Sequence, residues 1–289
     1  MGVAFARPET LDEALAELRR DDDVHLLAGG VSLVLLMNSG FMHPERIVSL
    51  AGVPELRGVT STDDGLHLGA GSTHHELAND PLVREHLPAA AEMFSRIGNV
   101  RVRMAGTLGG NLAHADPAQD PATVLAVLDA VAVVVGPEGT RDVPVEQLAD
   151  GPLSPTIGED EIITRVRVPW PSAGVRCSYL KFLSGTKDDY ATVSVACRLT
   201  LDDAGSVSDA ALAAAAVGPT VMVLDEVARL LVGQEVDDDV LARVEEVAAG
   251  SVRPHGDRRG SAEYKQAMTG VIAADAVRKA VGAASATSR

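Results

Sequence analysis

Apolar positions along the chain recur at two spacings, and each change of spacing marks an element. Leu11, Ala14, Leu15 and Leu18 recur at the helical period. Thr10-Leu11-Asp12-Glu13 opens that helix as a capping box, with Thr10 as cap and Glu13 reaching back. The acidic Asp21-Asp22-Asp23 ends it. Val24 to Ala28 is an apolar run of strand length that leads straight into Gly29-Gly30. Ser32 to Met37 starts a second helix, stopped by Asn38 and Gly40, and Ile47 to Leu50 is the next strand.

From Val59 the alternating pattern takes over. Val59-Thr60-Ser61, a turn at Asp63-Asp64-Gly65 and Leu66-His67-Leu68-Gly69 predict a hairpin. Thr73-His74-His75-Glu76 is a second capping box. Its adjacent histidines point to different helix faces and have no partner one turn away. They are therefore read as surface or cap residues, not metal ligands. Pro88 to Ile97 predicts a helix with small residues on one side, and Val100-Arg101-Val102-Arg103 leads to a second glycine pair. Pro121 to Leu128 is a helix with proline in its first turn. Val131 to Val135 and Glu161 to Val168 are strands, the latter closed by Pro169 and Pro171.

A third section begins near Arg176. Cys177 to Leu183, Thr192 to Leu201 and Val207 to Val217 read as strands, and the turn Asp202-Asp203-Ala204-Gly205 makes the last two antiparallel. Helices follow over Thr220 to Val232, Asp237 to Ala249 and Ala262 to about Val281. The last carries Tyr264, Met268, Val271 and Ile272 on one stripe. Gly270 weakens it by about 1 kcal/mol relative to Ala, so a bend or division is expected there. Residues 285–289 are expected to fray.

Composition narrows the function. The 289 residues are 46% hydrophobic and 23% charged, the profile of an ordinary globular protein long enough for two domains. Only 3% are aromatic, so the core must be built from Ala, Val and Leu. A formal net charge of −16 repels nucleic acid and anionic membranes, and no basic tract offsets it. Cys177 and Cys197 sit in apolar, strand-like surroundings and read as core residues. Two thiols cannot ligate a four-cysteine iron–sulfur cluster. The N-terminal residues do not form a signal peptide and no apolar run spans a bilayer, so a cytoplasmic protein that is not integral to a membrane is expected.

Two stretches carry candidate chemistry: Ala28-Gly29-Gly30-Val31-Ser32 and Thr107-Leu108-Gly109-Gly110-Asn111. Glycine pairs let the backbone press N–H groups against a ligand, and a nest of N–H groups at a helix start suits a phosphate. Each pair alone is equally a tight turn between packed elements; two of them suit the two phosphates of one dinucleotide. The fingerprint of a doubly wound dinucleotide fold is absent, because Gly69-Ala70-Gly71-Ser72-Thr73-His74 lacks the third glycine. Walker, H-E-x-x-H and G-x-S-x-G motifs are absent too. Asp116 and Asp120 follow the second pair. A carboxylate beside a phosphate is repulsive, so they address a sugar hydroxyl or ring N–H, or one of them caps the Pro121 helix.

Read together, Ala28-Gly29-Gly30-Val31-Ser32-Leu33 and Thr107-Leu108-Gly109-Gly110-Asn111 with Ala115-Asp116-Pro117 and Asp120-Pro121 resemble motifs of a known family. The likeness continues in Tyr179-Leu180-Lys181, Asp188-Asp189-Tyr190-Ala191 and Arg259-Gly260-Ser261-Ala262-Glu263-Tyr264, and covers essentially the whole chain. The family is the FAD-binding medium subunit of the molybdenum hydroxylases, with the carbon monoxide dehydrogenase medium subunit and the xanthine dehydrogenase flavin domain among its members.

The resemblance implies an α+β fold. Residues 1–173 would form a two-lobed FAD-binding domain of the vanillyl-alcohol-oxidase (PCMH) type, with lobes at about 1–55 and 56–173. Residues 174–289 would form a C-terminal domain with a small antiparallel sheet and helices. It assigns the FAD pyrophosphate to Leu26, Leu27, Ala28, Gly29, Gly30, Val31, Ser32 and Leu33, and to Thr107, Leu108, Gly109, Gly110 and Asn111. Asp120 and, as a further candidate, Asp116 lie along the cofactor. Ile97 neighbours the adenine, Ile163 is an apolar contact, Lys181 a basic residue at the flavin, and Tyr190 covers the isoalloxazine face. No catalytic acid or base and no metal ligand is implied.

Some positions depart from the family pattern. Val31 stands where relatives often have His, Met104 and Ala105 where they have Asn-Arg, and Gly185 and Thr186 where an Arg is frequent. Fewer cations near the flavin bear on redox tuning more than on binding. The implied partners are a [2Fe–2S] small subunit and a molybdopterin large subunit in a dimer of heterotrimers, with NAD, a quinone or oxygen as acceptor. Two other readings stand beside this one: a stand-alone flavin reductase using NAD(P)H, and a non-catalytic nucleotide-binding module.

Overall fold

The computed structural model describes residues 2–20, 23–186 and 189–282; Asp21, Asp22, Asp188 and the tail 285–289 lie outside the described residues. The first lobe runs β1 (Ala4–Ala6), α1 (Leu11–Leu18), β2 (Val24–Leu27), α2 (Val31–Asn38) and β3 (Arg46–Ser49). Its strands form a parallel sheet in the order β1-β3-β2. Ala14, Leu15 and Leu18 bury the expected face of α1. Thr10 caps it, but Glu13 reaches the N–H of Glu9, one residue before the cap, at 2.8 Å. β1 has no counterpart in the apolar pattern, because three residues are too few to show a period.

The second lobe opens with the expected hairpin, β4 (Val59–Thr62) and β5 (Gly65–Gly69). Six short helices follow: α3 (His74–Asn79), α4 (Pro81–His86), α5 (Pro88–Ser95), α6 (Val100–Ala105), α7 (Leu108–His114) and α8 (Asp120–Val127). Then come β6 (Val131–Gly136), β7 (Gly139–Pro144), a small hairpin of β8 (Ala149–Gly151) and β9 (Ser154–Pro155), and β10 (Ile162–Val168). The sheet is antiparallel in the order β4-β5-β10-β6-β7. The capping box at Thr73 forms in full, with Glu76 returning to the Thr73 N–H at 2.7 Å. The lobe's core unites Leu66 and Leu68 of β5, Leu77, Phe94, Leu108 and Val134.

The third section is β11 (Val175–Phe182), β12 (Val193–Leu201), β13 (Val207–Ala215), β14 (Met222–Val223), α9 (Asp225–Leu231), α10 (Asp238–Ser251) and α11 (Ala262–Gly282). Its strands form an antiparallel sheet in sequence order. β12 is buried on both faces. Val193, Val195, Cys197 and Leu199 meet α9–α11, while Ala196 joins Tyr179 in the core of the second lobe. Cys177 and Cys197 are free thiols, and burial pushes Cys177 up to about 12.

Three expectations about the C-terminal helices are corrected. The Thr220 helix starts only at Asp225, because Met222 and Val223 pair with β13. α11 is continuous through Gly270, where a Cβ would stand 2.3 Å from the Glu245 carbonyl oxygen of α10. The glycine permits close helix packing and breaks nothing. The buried face of α11 is also rotated from the expected stripe: Lys265, Thr269, Ile272, Ala273, Ala276, Val277 and Ala280 are inside, while Tyr264 and Val271 are exposed. No helix among the described residues is long and apolar enough to cross a membrane.

Candidate functional site

Residues of both lobes and of the C-terminal section line one cleft of about 570 Å³. That volume lies within the usual range for cofactor sites. Sixteen of the expected site residues line it; Leu27, Leu108 and Asp116 do not.

The first glycine pair builds an anion nest. β2 delivers the chain to Gly30, which takes φ 75 as the residue before α2. Only glycine adopts that left-handed conformation without cost. Among the described residues, the N–H groups of Gly29, Gly30, Val31, Ser32 and Leu33 donate to no backbone carbonyl. These orphan donors and the positive end of the α2 dipole suit a phosphate. Gly29 also lets the two lobes approach closely: a Cβ there would lie 1.9 Å from the Ala105 carbonyl oxygen.

The second pair differs from the open N–H nest that its sequence suggests. Leu108 N–H donates to the Ser72 carbonyl at 3.0 Å and Gly109 N–H to the Ala70 carbonyl at 2.7 Å. Gly110 N–H donates to Thr107 Oγ1 at 3.2 Å, and Asn111 N–H to the Thr107 carbonyl at 3.0 Å. Gly109 is needed here for packing, since a Cβ on it would meet Ala70 Cβ at 2.7 Å, whereas one on Gly110 would stand at an ordinary 3.4 Å from Ala28 Cβ. What this loop offers the cleft is the Asn111 side chain, whose buried Oδ1 has no partner among the described residues. Leu108 is fully buried in the core instead.

Asp116 does not take the capping role weighed for it. Its Oδ1 accepts from the Ala118 N–H at 2.8 Å in a local turn. The residue before α8 is Gln119, so Asp116 does not cap that helix. Asp120 opens α8 and is buried. Its Oδ1 accepts from the Tyr179 hydroxyl at 2.6 Å and its Oδ2 from Lys181 Nζ at 2.7 Å. Tyr179 and Lys181 are two apart on β11 and so share a face. Burial pushes the Asp120 carboxyl upward, while the Lys181 ammonium and the hydrogen bonds from Lys181 and Tyr179 pull the other way. Burial and the Asp120 charge push the Tyr179 phenol well above its usual value. Ile97 and Ile163 line the cleft as apolar, buried walls. Tyr190 stands at its edge with its ring 43% exposed.

Several polar residues line the cleft that were not expected there: His25, His74, His114, Gln119, Glu161 and Asp189. His74 is not a surface residue: it is 2% exposed, stacks 5.9 Å from Phe94 and lines the cleft, whereas His75 is exposed as expected. Burial lowers its pKa to about 4, which keeps it neutral, and its Nδ1 has no partner among the described residues. Leu77, three residues on, gives the only pattern signal that His74 faces inward. Gln119 likewise lines the cleft with an unpartnered, buried Oε1, and nothing in its sequence context announces it. Among the described residues no group of three or more His, Cys, Asp or Glu is arranged to hold a metal. The open nest and the unpartnered Asn111 Oδ1, Gln119 Oε1 and His74 Nδ1, beside the apolar Ile97 and Ile163, fit a large polar dinucleotide with an apolar ring system.

Residues 1–171 match the model of the FAD binding domain in molybdopterin dehydrogenase, and residues 178–280 that of the CO dehydrogenase flavoprotein C-terminal domain. The chain is 32% identical over 277 residues to the carbon monoxide dehydrogenase medium chain of Afipia carboxidovorans, covering 96% of each. It is 28% identical to a xanthine dehydrogenase FAD-binding subunit of Escherichia coli, over 97% of this chain and 98% of that one. Among solved structures, carbon monoxide dehydrogenase from Hydrogenophaga pseudoflava superposes with TM-score 0.94 at 31% identity, covering 98% of both chains. Quinoline 2-oxidoreductase from Pseudomonas putida superposes with TM-score 0.93 at 27% identity, again over 98% of both. The chain belongs to the FAD-binding medium subunits of the molybdenum hydroxylases, and is an oxidoreductase subunit whose cofactor is FAD.

Proposed function

We propose that this chain is the electron-transfer subunit of a molybdenum hydroxylase complex. Its partners are a [2Fe–2S] small subunit and a molybdopterin large subunit, in a dimer of heterotrimers, and it delivers electrons to an external acceptor such as NAD, a quinone or oxygen. The division of labour follows a boundary near residue 173: the two lobes hold the cofactor, and the C-terminal section closes its edge. The observation that carries this reading is the open N–H nest of Gly29 to Leu33 at one side of a cleft whose other polar groups are neutral or already paired. Such a site binds and positions a cofactor. Relatives named as medium chains or subunits of dehydrogenases for carbon monoxide, glyceraldehyde and caffeine support the reading, since one architecture there serves unlike substrates.

Bound in this cleft, FAD supplies the redox chemistry. The chain supplies its placement. The nest before α2 would hold the pyrophosphate, with Leu26 and Ala28 to Leu33 as its walls. Thr107, Gly109 and Gly110 would bring the second loop against it, and Asn111, Gln119 and His74 would offer hydrogen bonds to it. Ile97 and Ile163 enclose the apolar rings. Asp120, clamped by Lys181 and Tyr179, addresses a ring N–H or sugar hydroxyl, and Tyr190 covers the exposed ring face. Purified alone, the chain should carry flavin absorbance yet show no bleaching with hydroxylase substrates. Expressed beside its neighbouring genes, it should co-purify with chains bearing molybdenum and iron–sulfur clusters. Bleaching of the isolated flavoprotein by a hydroxylase substrate in the absence of partners would overturn the reading.

A further inference from the structure

The segment between α10 and α11 reaches across the protein to the loop that carries Tyr190, and Arg259 is where they meet. Its Nη2 donates to Asp189 Oδ1 at 2.7 Å, and its guanidinium carbon stands 5.4 Å from the centroid of the Tyr190 ring. Its carbonyl accepts from Ser184 Oγ at 2.9 Å. Ser184 is in turn tied to Thr192, whose Oγ1 donates to Ser184 Oγ at 2.9 Å and accepts from the Ser184 N–H at 3.1 Å. Arg259 thus engages Asp189 and Tyr190 directly and the base of the same loop through Ser184.

Arg259 is itself held. Its N–H donates to Asp257 Oδ1 at 2.8 Å, and Lys265 Nζ donates to Asp257 Oδ2 at 2.9 Å. Lys265 is buried on the inner face of α11, so Asp257 is the counter-ion that makes its burial tolerable. The bracket is therefore anchored in the C-terminal core. Tyr190 has no such anchor of its own. Its ring is part-exposed, and among the described residues its hydroxyl makes no hydrogen bond. The stacked guanidinium and the neighbouring Asp189 ion pair are the contacts that fix its place at the cleft edge.

We propose that Arg259 is a positioning residue of the flavin site: from the C-terminal domain it holds Tyr190 at the mouth of the cleft and so sets how closely the flavin ring is covered. This rests on the reading above that Tyr190 lies over that ring. A planar guanidinium stacks on an aromatic face and pairs with a carboxylate at once, which a lysine cannot reproduce. Each contact is modest at this exposure. Their joint loss lets the Tyr190 side chain leave the cleft edge about fivefold more often.

The test is the emission of the bound flavin in the full-length, FAD-loaded chain, since an aromatic ring stacked on a flavin quenches it. Flavin content and thermal midpoint are measured beside it. Tyr190→Ala should brighten the bound flavin. Arg259→Met should brighten it as well, at nearly full flavin content, and Arg259→Lys should recover only part of the quenching. Asp189→Asn removes the ion pair at a half-exposed position and should brighten the flavin to a lesser degree, which keeps the test open should Arg259→Met lose its fold. A bright Tyr190→Ala beside an Arg259→Met and an Asp189→Asn as dim as the parent would overturn the positioning role alone. A Tyr190→Ala as dim as the parent would overturn the placement of Tyr190 on the ring, and the proposal with it.

Discussion

Lys181 Nζ lies 2.7 Å from Asp120 Oδ2, and the two side chains are only 4% and 5% exposed. The cation that the family resemblance places at the flavin is therefore neutralised by the aspartate assigned to the same cofactor. A buried pair contributes little net stability, because desolvation cancels most of the attraction, but breaking it leaves one charge stranded. Asp120→Asn or Lys181→Met alone should each cost about 3–5 kcal/mol. The double variant should lose far less than the sum, since both charges are then gone. Urea unfolding of the four proteins gives the cycle directly. Additive losses would show that the two groups do not act as a pair.

The glycine pairs predict unequal outcomes. Alanine at Gly29 would drive its Cβ to 1.9 Å from the Ala105 carbonyl oxygen, a backbone atom that cannot swing away. Alanine at Gly110 meets Thr107 Oγ1 at 2.9 Å, which strains the cap of α7 but presses on no backbone atom outside that turn. Gly29→Ala should thus cost about 1–3 kcal/mol by overpacking and should also push the first loop off its nest. Its flavin-to-protein absorbance ratio should fall sharply, while Gly110→Ala keeps most of its FAD. The reverse order would move the phosphate site to the second loop.

The sequence motif could not distinguish these two loops, and the reason is physical. Both read as glycine pairs at a helix start, but Gly29-Gly30 precedes α2 whereas Gly109-Gly110 lies in the first turn of α7. Whether their N–H groups are free depends on carbonyls of Ala70 and Ser72, which the turn from β5 into α3 places beside the second loop. Nothing local encodes that. Strands with strong periodicity, such as Val131–Gly136 and Val193–Leu201, were legible because their own residues decide which face is buried. α11 was legible as a helix but not in its rotation, because Lys265 is buried by virtue of Asp257, eight residues earlier. His74 was misplaced on the surface because histidine next to a cap is usually solvated. Here Phe94 and Gly106, both distant in sequence, close over it.

His74 makes the protein sensitive to acid in a defined window. Burial lowers its pKa from 6.5 to about 4, so the unfolded chain takes up a proton that the folded chain refuses. Stability from this group is complete above pH 6.5 and is lost as pH falls toward 4. The loss amounts to about 3 kcal/mol by linkage. His74→Gln removes the titration and should flatten the pH dependence of the unfolding free energy over that range, whatever its own stability at neutral pH. A parent protein and variant with parallel pH profiles between pH 7 and 4 would show that the imidazole is not held neutral by its burial.

Gly270→Ala sets helix propensity against packing. Alanine is favoured over glycine inside a helix by about 1 kcal/mol, so a local view predicts stabilisation. At this position the new Cβ would stand 2.3 Å from the Glu245 carbonyl oxygen, a backbone atom of α10, so one helix must move. Separating two packed helices opens voids along the interface that includes Val244, Ala248, Ala273 and Val277. Overpacking of this kind costs about 1–3 kcal/mol, which exceeds the propensity gain at all but its lower end. The variant should unfold at lower urea concentration than the parent while its far-ultraviolet circular dichroism remains helical. A more stable variant would show that the α10–α11 contact is loose enough to absorb a methyl group, and would return Gly270 to the role of a helix weak point that its sequence first suggests.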